Sequence, residues 1–352
     1  MKVAPVWRAL EALQKFHITL VHTGQHYDDN MSKVFFDDLK LPRPDVHMGV
    51  GSGTHAEQTA KVMLAFEPVM KDADPDLVVV VGDVNSTMAC TLVAVKLDVP
   101  VAHIEAGLRS FDRQMPEEIN RMVTDILCEL LFTTSRDADE NLEREGVDPS
   151  KVHFVGNVMI DSLRYYAAEA EKSTILQTLG LGKGCYGLVT LHRPSNVDDV
   201  FQLTRIAQAL NEIAEECPLV FPVHPRTRSV MERAGIGFKG DGMRLIDPVG
   251  YLDFIQLMQY SKVVLTDSGG IQEETTALGI PCLTIRENTE RPITVTEGTN
   301  RLVGTDPARI AAEAVTVLRQ GVAKARIPEL WDGKAAERIA QVIDRFLEEQ
   351  SS

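Results

Sequence analysis

Short aliphatic and β-branched runs alternate with amphipathic stretches along almost the whole chain, and nothing else in the sequence restricts the fold as much. HITLVHTG (17–24), DLVVVVGD (76–83), PVAHIEAG (100–107), LLFTTS (130–135) and the weaker VHFVGN (152–157) read as buried strands. Helical patterns occupy 55–73, 86–97, 117–128 and 136–145 between them. The second half repeats the alternation with CYGLVTLH (185–192), PLVFPVH (218–224), MRLID (243–247), KVVLTD (262–267) and PCLTI (281–285), separated by helices at 199–216, 251–260 and 306–319. Strands alternating with helices at this spacing predict an α/β fold of parallel sheets covered on both faces. Two such sets predict two Rossmann-like domains facing a cleft, with the boundary in the helical and Gly-rich stretch 158–184. The chain opens directly in a helical segment, VAPVWRALEALQKF (3–16), whereas a doubly wound domain normally begins with a strand and a Gly-rich turn. The first strand of the N-terminal domain is therefore expected to be missing, either absent from the chain or upstream of the given start.

A chain of 352 residues with 44% hydrophobic content buries a full core and is long enough for two domains. Its net charge of −15, with no basic block, argues against nucleic acid or an anionic membrane as partner. An anionic small ligand must then be held by local arginines and helix N-termini. The five cysteines (Cys90, Cys128, Cys185, Cys217, Cys282) are far apart, with no CxxC pair and no zinc spacing, and read as reduced, mostly buried thiols. No apolar run approaches the ~18–20 residues of a membrane span, and no signal peptide is recognisable. A soluble, cytoplasmic protein is expected.

Ligands of open α/β sheets bind beyond the carboxyl ends of the strands, and the polar motifs gather there. Asp267-Ser268-Gly269-Gly270-Ile271-Gln272-Glu273-Glu274 follows the strand KVVLT. Its small residues offer backbone N–H groups and the positive end of a helix dipole, which suits a phosphate or diphosphate. The two glutamates one turn later suit sugar hydroxyls; an ordinary βα turn is the plain alternative. Asp83 stands at a strand tip in GDVNST, where a capping or turn role is as reasonable as catalysis. His103 and Glu105, two apart in a buried strand, share one face by alternation, and their burial is costly without partners. Pro116 opens a helix carrying Glu117 and Glu118, which a helix dipole also favours. His192 and Arg193 end another strand, and RENTERP (286–292) supplies two further arginines for a diphosphate. Asp83, Glu105 and Glu117 together make a set of acids able to move protons at a sugar carbon.

GDVNST, HIEAGLRSFDRQMPEEINR, VGNVMIDSL, TLHRP, DSGGIQEE and TERP stand in the order seen in non-hydrolysing UDP-N-acetylglucosamine 2-epimerases, and the resemblance runs from Lys2 to about residue 304. It implies a GT-B architecture: an N-terminal acid/base domain (1–168) with a C-terminal helix (336–352) packing back on it, and a UDP-binding domain (169–335). It implies C2 epimerisation of UDP-GlcNAc to UDP-ManNAc for surface polysaccharide synthesis, without metal or NAD, and a homodimer. In this family UDP leaves anti to the departing C2 proton, and a 2-acetamidoglucal is held before UDP re-adds. Carried over by motif, Asp83, Glu105 and Glu117 are the acid/base carboxylates, with Glu118 a helix-start residue. His192 stands near the diphosphate, beside Arg193, with Lys2 on the phosphate side. Ser268, Gly269 and Gly270 would bind phosphate, Arg291 the diphosphate and Glu274 the ribose hydroxyls. Phe254 would stack on uracil, although its place in the amphipathic YLDFIQLM is also that of a core aromatic.

The chain departs from the family pattern at its opening strand and GTRPE-type loop, at HRPSNVDD, at VHPRTR and in the short segment before PEE. The HRPSNVDD and VHPRTR regions adjoin the family's regulatory substrate site, so allosteric activation is not assumed. Four alternatives stay open: a hydrolysing 2-epimerase, an epimerase of a modified UDP-sugar such as a diacetamido uronate, a GT-B glycosyltransferase, and an inactive UDP-sugar binding protein. A dehydrogenase is disfavoured, because no GxGxxG follows an early strand.

Overall fold

All strand pairings among the described residues are parallel. The structure is a computed structural model describing residues 1–24, 41–321 and 325–350. The chain divides into two units, Met1–Ser162 with Glu329–Ser352, and Leu163–Pro328.

In the first unit, β3 (Val78–Val81), β4 (Val101–Ala106), β5 (Leu130–Thr133) and β6 (Val152–Phe154) form a four-stranded sheet in chain order. β1 (Val21–His22) and β2 (Val46–His47) form a separate pair. No described strand precedes the first helix, Val3–Leu13. Of the expected strand over 17–24, only Val21–His22 is strand, paired with β2 among the described residues. β4 is wholly buried because both sheet faces are covered. On one face Ala102, Ile104 and Phe132 pack with Val6, Leu10, Ala335, Ile339 and Ile343; on the other, Val101 and Leu131 pack with Val62, Phe66, Ala89 and Val93.

The helix His55–Ala73 starts with a capping box: the Thr54 hydroxyl accepts from the Glu57 N–H, and the Glu57 carboxylate accepts from the Thr54 N–H. The last helix, Ala335–Gln350, lies against Val3–Leu13 across the first of these cores; residues 351–352 lie outside the described residues. Its first N–H groups, on Ala335 and Ala336, donate to the buried Asp161 carboxylate at 3.2 and 2.7 Å. That satisfies two donors which every helix start leaves orphaned.

The second unit is one six-stranded sheet, β12-β11-β10-β7-β8-β9, from β7 (Gly187–Thr190), β8 (Leu219–Pro222), β9 (Met243–Ile246), β10 (Val263–Thr266), β11 (Cys282–Thr284) and β12 (Asn300–Leu302). Its first and fourth strands are neighbours at the centre, and the chain turns outward from them in opposite directions. That reversal is the topological switch point of a doubly wound sheet, where ligands bind. β7 and β10 stay in register to Thr190 and Thr266, so the loops after both open together at that point. The helix Pro225–Ala234 and the strands β2 and β12 lack a clear periodic signal, being short or polar, and were not anticipated. Among the described residues no helix is long and apolar enough to cross a membrane.

Candidate active site

In the first unit the candidate acids Asp83 and Glu105 stand at the tips of β3 and β4. Gly82 follows β3 with φ +75°, a left-handed conformation that glycine adopts cheaply, and it delivers Asp83. The Asp83 carboxylate, partly exposed, lies 2.5 Å from Nη1 of Arg121. Asn120, beside that arginine on the helix Pro116–Leu127, donates to the Asp83 carbonyl at 2.9 Å.

On β4, the expectation that His103 and Glu105 share a face through regular alternation is corrected. The pairing of β4 with β5 slips between Ile104 and Ala106, and Glu105 in the slip adopts φ +76°. Ala106 consequently packs in the same core as Val101 instead of with Ala102 and Ile104. A left-handed glutamate costs of order 1–3 kcal/mol, strain that tends to be kept where it aims a side chain. Buried Glu105 forms an ion pair with Lys2 at the start of the first helix. Both groups border Gly82: a Cβ placed there would lie 3.4 Å from the Lys2 Nζ and 3.6 Å from Oε2 of Glu105.

His103 serves different partners. Its Nδ1 lies 2.6 Å from Oδ1 of Asp125, and its Nε2 lies 2.9 Å from the Gly82 carbonyl. The other Asp125 oxygen accepts from the Gly107 N–H at 3.1 Å and pairs with Arg109 at 2.7 Å. Burial opposes the charge on Asp125, but His103 and Arg109 outweigh it and hold the carboxyl below its ordinary range.

The two glutamates after Pro116 separate cleanly. Glu118 is 2% exposed and accepts from the Ser110 N–H (2.9 Å), the Ser110 hydroxyl (3.0 Å), the Phe111 N–H (3.0 Å) and Arg121 (2.6 Å). Burial raises its pKa, yet Arg121 and the Ser110 N–H win and leave it lowered. Glu117 is half-buried and makes no hydrogen bond or ion pair among the described residues.

The second unit gathers its polar groups at the switch point. The fully buried Asp267 carboxylate accepts from the N–H groups of His192 (3.1 Å) and Arg193 (3.0 Å) and from Asn196 (3.1 Å). It also lies 3.0 Å from Nδ1 of His192, whose ring is 57% exposed, so the pair presents Nε2 outward. His192 and the adjoining N–H groups outweigh burial and keep the Asp267 pKa low.

The helix Gly269–Leu278 starts two residues after Asp267, with Ser268 as its N-cap. Of its expected phosphate donors, Ser268 donates its N–H to the Thr266 hydroxyl at 3.0 Å. Gly269 is required for space, since a Cβ there would lie 2.4 Å from Nη1 of Arg291. Gly270, half-buried, occupies the next position of the first turn. Arg291 pairs with Glu290 at 2.5 Å and Glu273 at 2.8 Å, Arg286 with Glu290 at 2.8 Å, and Arg193 with Glu290 at 3.5 Å. One carboxylate thus gathers three guanidinium groups beside a helix N-terminus. Burial works against the Glu290 charge, but Arg291 and Arg286 depress its pKa strongly. Among the described residues, Nη1 of Arg286 is buried without a hydrogen-bond partner.

Glu274 is buried beside Glu273 and accepts from the Tyr251 hydroxyl at 3.0 Å. Burial and the neighbouring carboxylate push its pKa up to about 7, Tyr251 pulling the other way. Phe254 is half-buried on the helix Tyr251–Gln259, one turn from Tyr251. Asp267, Glu290, Arg121 and Asp125 were not singled out from sequence; only their places beside the motifs pointed to them.

A four-stranded parallel unit with acids at its strand tips and a six-stranded doubly wound unit with an arginine-ringed helix start make up a two-unit α/β fold of the GT-B class. The profile of the UDP-N-acetylglucosamine 2-epimerase family matches residues 8–344. The UDP-N-acetylglucosamine 2-epimerase of Methanocaldococcus jannaschii is 42% identical, covering 97% of this chain and 95% of its own. Its crystal structure in complex with UDP-GlcNAc and UDP superposes with a TM-score of 0.90 at 41% identity, covering 98% of this chain and 96% of that one. A UDP-2,3-diacetamido-2,3-dideoxy-D-glucuronate 2-epimerase of Pseudomonas aeruginosa is 43% identical, covering 98% of this chain and 96% of its own. The chain belongs to the UDP-N-acetylglucosamine 2-epimerase family, a family of isomerases.

Proposed function

We propose that the protein interconverts UDP-N-acetylglucosamine and UDP-N-acetylmannosamine, retaining the glycal intermediate. The observation that carries this reading is the arrangement of Asp83 and Glu105 at adjacent strand tips, bordering Gly82 and each engaged by a cation. Inversion at C2 needs one group to take a proton from one face and another to return a proton to the opposite face. The C2 proton has no neighbouring carbonyl to acidify it, so its removal must be coupled to departure of a stable anion. A carboxylate takes the proton, the C2–H electrons form the C1=C2 bond, and the C1–O bond breaks with its electron pair leaving on UDP. Re-addition of UDP oxygen to C1 with protonation of the other face of C2 completes the exchange. No electrons are lost or gained overall, so the cycle requires no redox cofactor.

The second unit stabilises the leaving group in this reading. Arg286, Arg291, Arg193 and the helix start at Gly269 supply preorganised positive charge for the diphosphate. His192, oriented by Asp267, stands at the same switch point, and Glu274 accepts the ribose hydroxyls with Phe254 against uracil. Glu117, whose carboxylate makes no hydrogen bond or ion pair among the described residues, completes the acid set. Sugar nucleotides are made and spent in the cytoplasm, where we place the enzyme, upstream of surface polysaccharide synthesis.

The Pseudomonas aeruginosa relative supports a second reading, in which the substrate is a diacetamido uronate carrying the same C2 centre. Proton NMR in D2O with each UDP-sugar separates the two. UDP-ManNAc labelled with deuterium at C2, and no free sugar, is the expected product from UDP-GlcNAc. Exchange only with the uronate transfers the assignment to the second reading, and free ManNAc plus UDP transfers it to a hydrolysing enzyme.

A further inference from the structure

We infer that His103 is a positioning residue, held as an imidazolium that ties together the two loops bearing the acids Asp83 and Glu105. The inference rests on the proposed reaction for its kinetic consequence, but not for its chemistry. Both ring nitrogens face groups that only accept: a carboxylate oxygen of Asp125 at 2.6 Å and the Gly82 carbonyl at 2.9 Å. A neutral imidazole carries one N–H and one lone pair, so one contact would set lone pair against lone pair. The ring is entirely buried, which makes such a repulsion costly. Asp125 already accepts from Gly107 and Arg109 on its other oxygen, which is the environment of a carboxylate and not of a carboxylic acid.

Asp125 is fully buried, with His103 and Arg109 as its charged neighbours; Arg109 also pairs, at 2.6 Å, with Glu145, which is exposed.

The reach of the tie gives it a function. One ring nitrogen fixes the carbonyl immediately before Asp83. The other, through Asp125, fixes the N–H of Gly107, two residues after Glu105. The ring thus links the two acid-bearing loops beside the backbone bond from the Gly82 N–H to the Ile104 carbonyl at 3.0 Å. Glu105 lies in a bulge of left-handed backbone, where regular pairing alone does not set its place.

Two substitutions each keep half of the tie. The amide of His103→Asn overlays Nδ1 and keeps Asp125; that of His103→Gln overlays Nε2 and keeps Gly82. Loss of one hydrogen bond involving a charged group is expected to lower kcat by about 10- to 100-fold in either variant. KM and UDP affinity, set in the other unit, should stay within about twofold of wild type. Nitrogen NMR of protein labelled at histidine, with His103 assigned by its loss in the variants, should show both ring nitrogens protonated. A neutral-tautomer signature in the folded wild type overturns the imidazolium. Variants that turn over like wild type, or lose UDP binding along with kcat, overturn the positioning role. Because the NMR result needs no substrate, a wrong choice of UDP-sugar would leave it intact and appear instead as an inactive wild type.

Discussion

Glu117 and Glu118 are neighbours in sequence with opposite structural fates, and replacing each by glutamine separates chemistry from architecture. In Glu118→Gln the side chain keeps its shape but has one accepting oxygen where the carboxylate has two. If that oxygen serves Ser110 and Arg121, the amide nitrogen is turned toward the Phe111 N–H, donor against donor. Breaking a buried ion pair costs about 3–5 kcal/mol. Arg121 retains Asp83, so the lower end, about 3 kcal/mol, applies. For a unit of this size 1 kcal/mol moves Tm by roughly 2–4 °C, giving a fall on the order of 10 °C at pH 7.

The pH dependence has a definite sign. The folded pKa of Glu118 lies below its ordinary value, so its stabilisation is complete above the unfolded value near 4.3 and fades as pH falls through the lower folded value. The gap between wild type and variant should therefore be widest at neutral pH and close in acid. Glu117→Gln should unfold within about 0.5 kcal/mol of wild type at every pH while losing turnover. Thermal and urea unfolding of the three proteins decide the matter. An unshifted Glu118→Gln at pH 7, or a gap that persists undiminished at low pH, would refute the reasoning.

Asp83→Asn should abolish C2 proton exchange and leave UDP affinity, measured by calorimetry, largely intact; loss of UDP binding would make Asp83 structural. Gly269→Ala places a methyl carbon 2.4 Å from Arg291 Nη1, and should weaken UDP binding by roughly tenfold as the arginine is displaced. Arg291→Ala should weaken the same affinity, and an unchanged value removes Arg291 from the diphosphate. Glu274 titrates near 7, above its ordinary value, so its ionisation costs stability that is absent below the unfolded pKa and fully felt above the folded one. Glu274→Gln should thus gain stability relative to wild type as pH rises from 5 to 8, while UDP affinity in wild type rises over the same interval; flat profiles in both would exclude a titrating Glu274.

Much of the framework could be read from local pattern because local physics sets it. The helix His55–Ala73 was placed correctly, its ends marked by a capping box and a charged, polar exit. Strands β3, β4, β5, β7 and β10 fell inside their apolar runs, since buried parallel strands need unbroken hydrophobicity. The candidate site was legible only as a set of types at strand tips. What orients those types joins distant positions: Asp267 to His192, Asp83 to Arg121, His103 to Asp125. No periodicity announces such pairs. The bulge at Glu105 was equally hidden, since alternation is the rule that a bulge breaks, and the pattern of apolar residues absorbed it without a visible fault.

The last helix belongs to the first unit, and this has a consequence for how the protein comes into being. A ribosome delivers residues 1–162 first, then the whole second unit, and only afterwards Ala335, Ile339 and Ile343, which close the apolar face around Val6 and Leu10. Until then Asp161 waits for the N–H groups of Ala335 and Ala336, and that face stays open to solvent or a chaperone. The unit holding the proposed acids is begun first and finished last. Its completion certifies that everything between has been synthesised, so a chain cut short leaves the acids on an unclosed core.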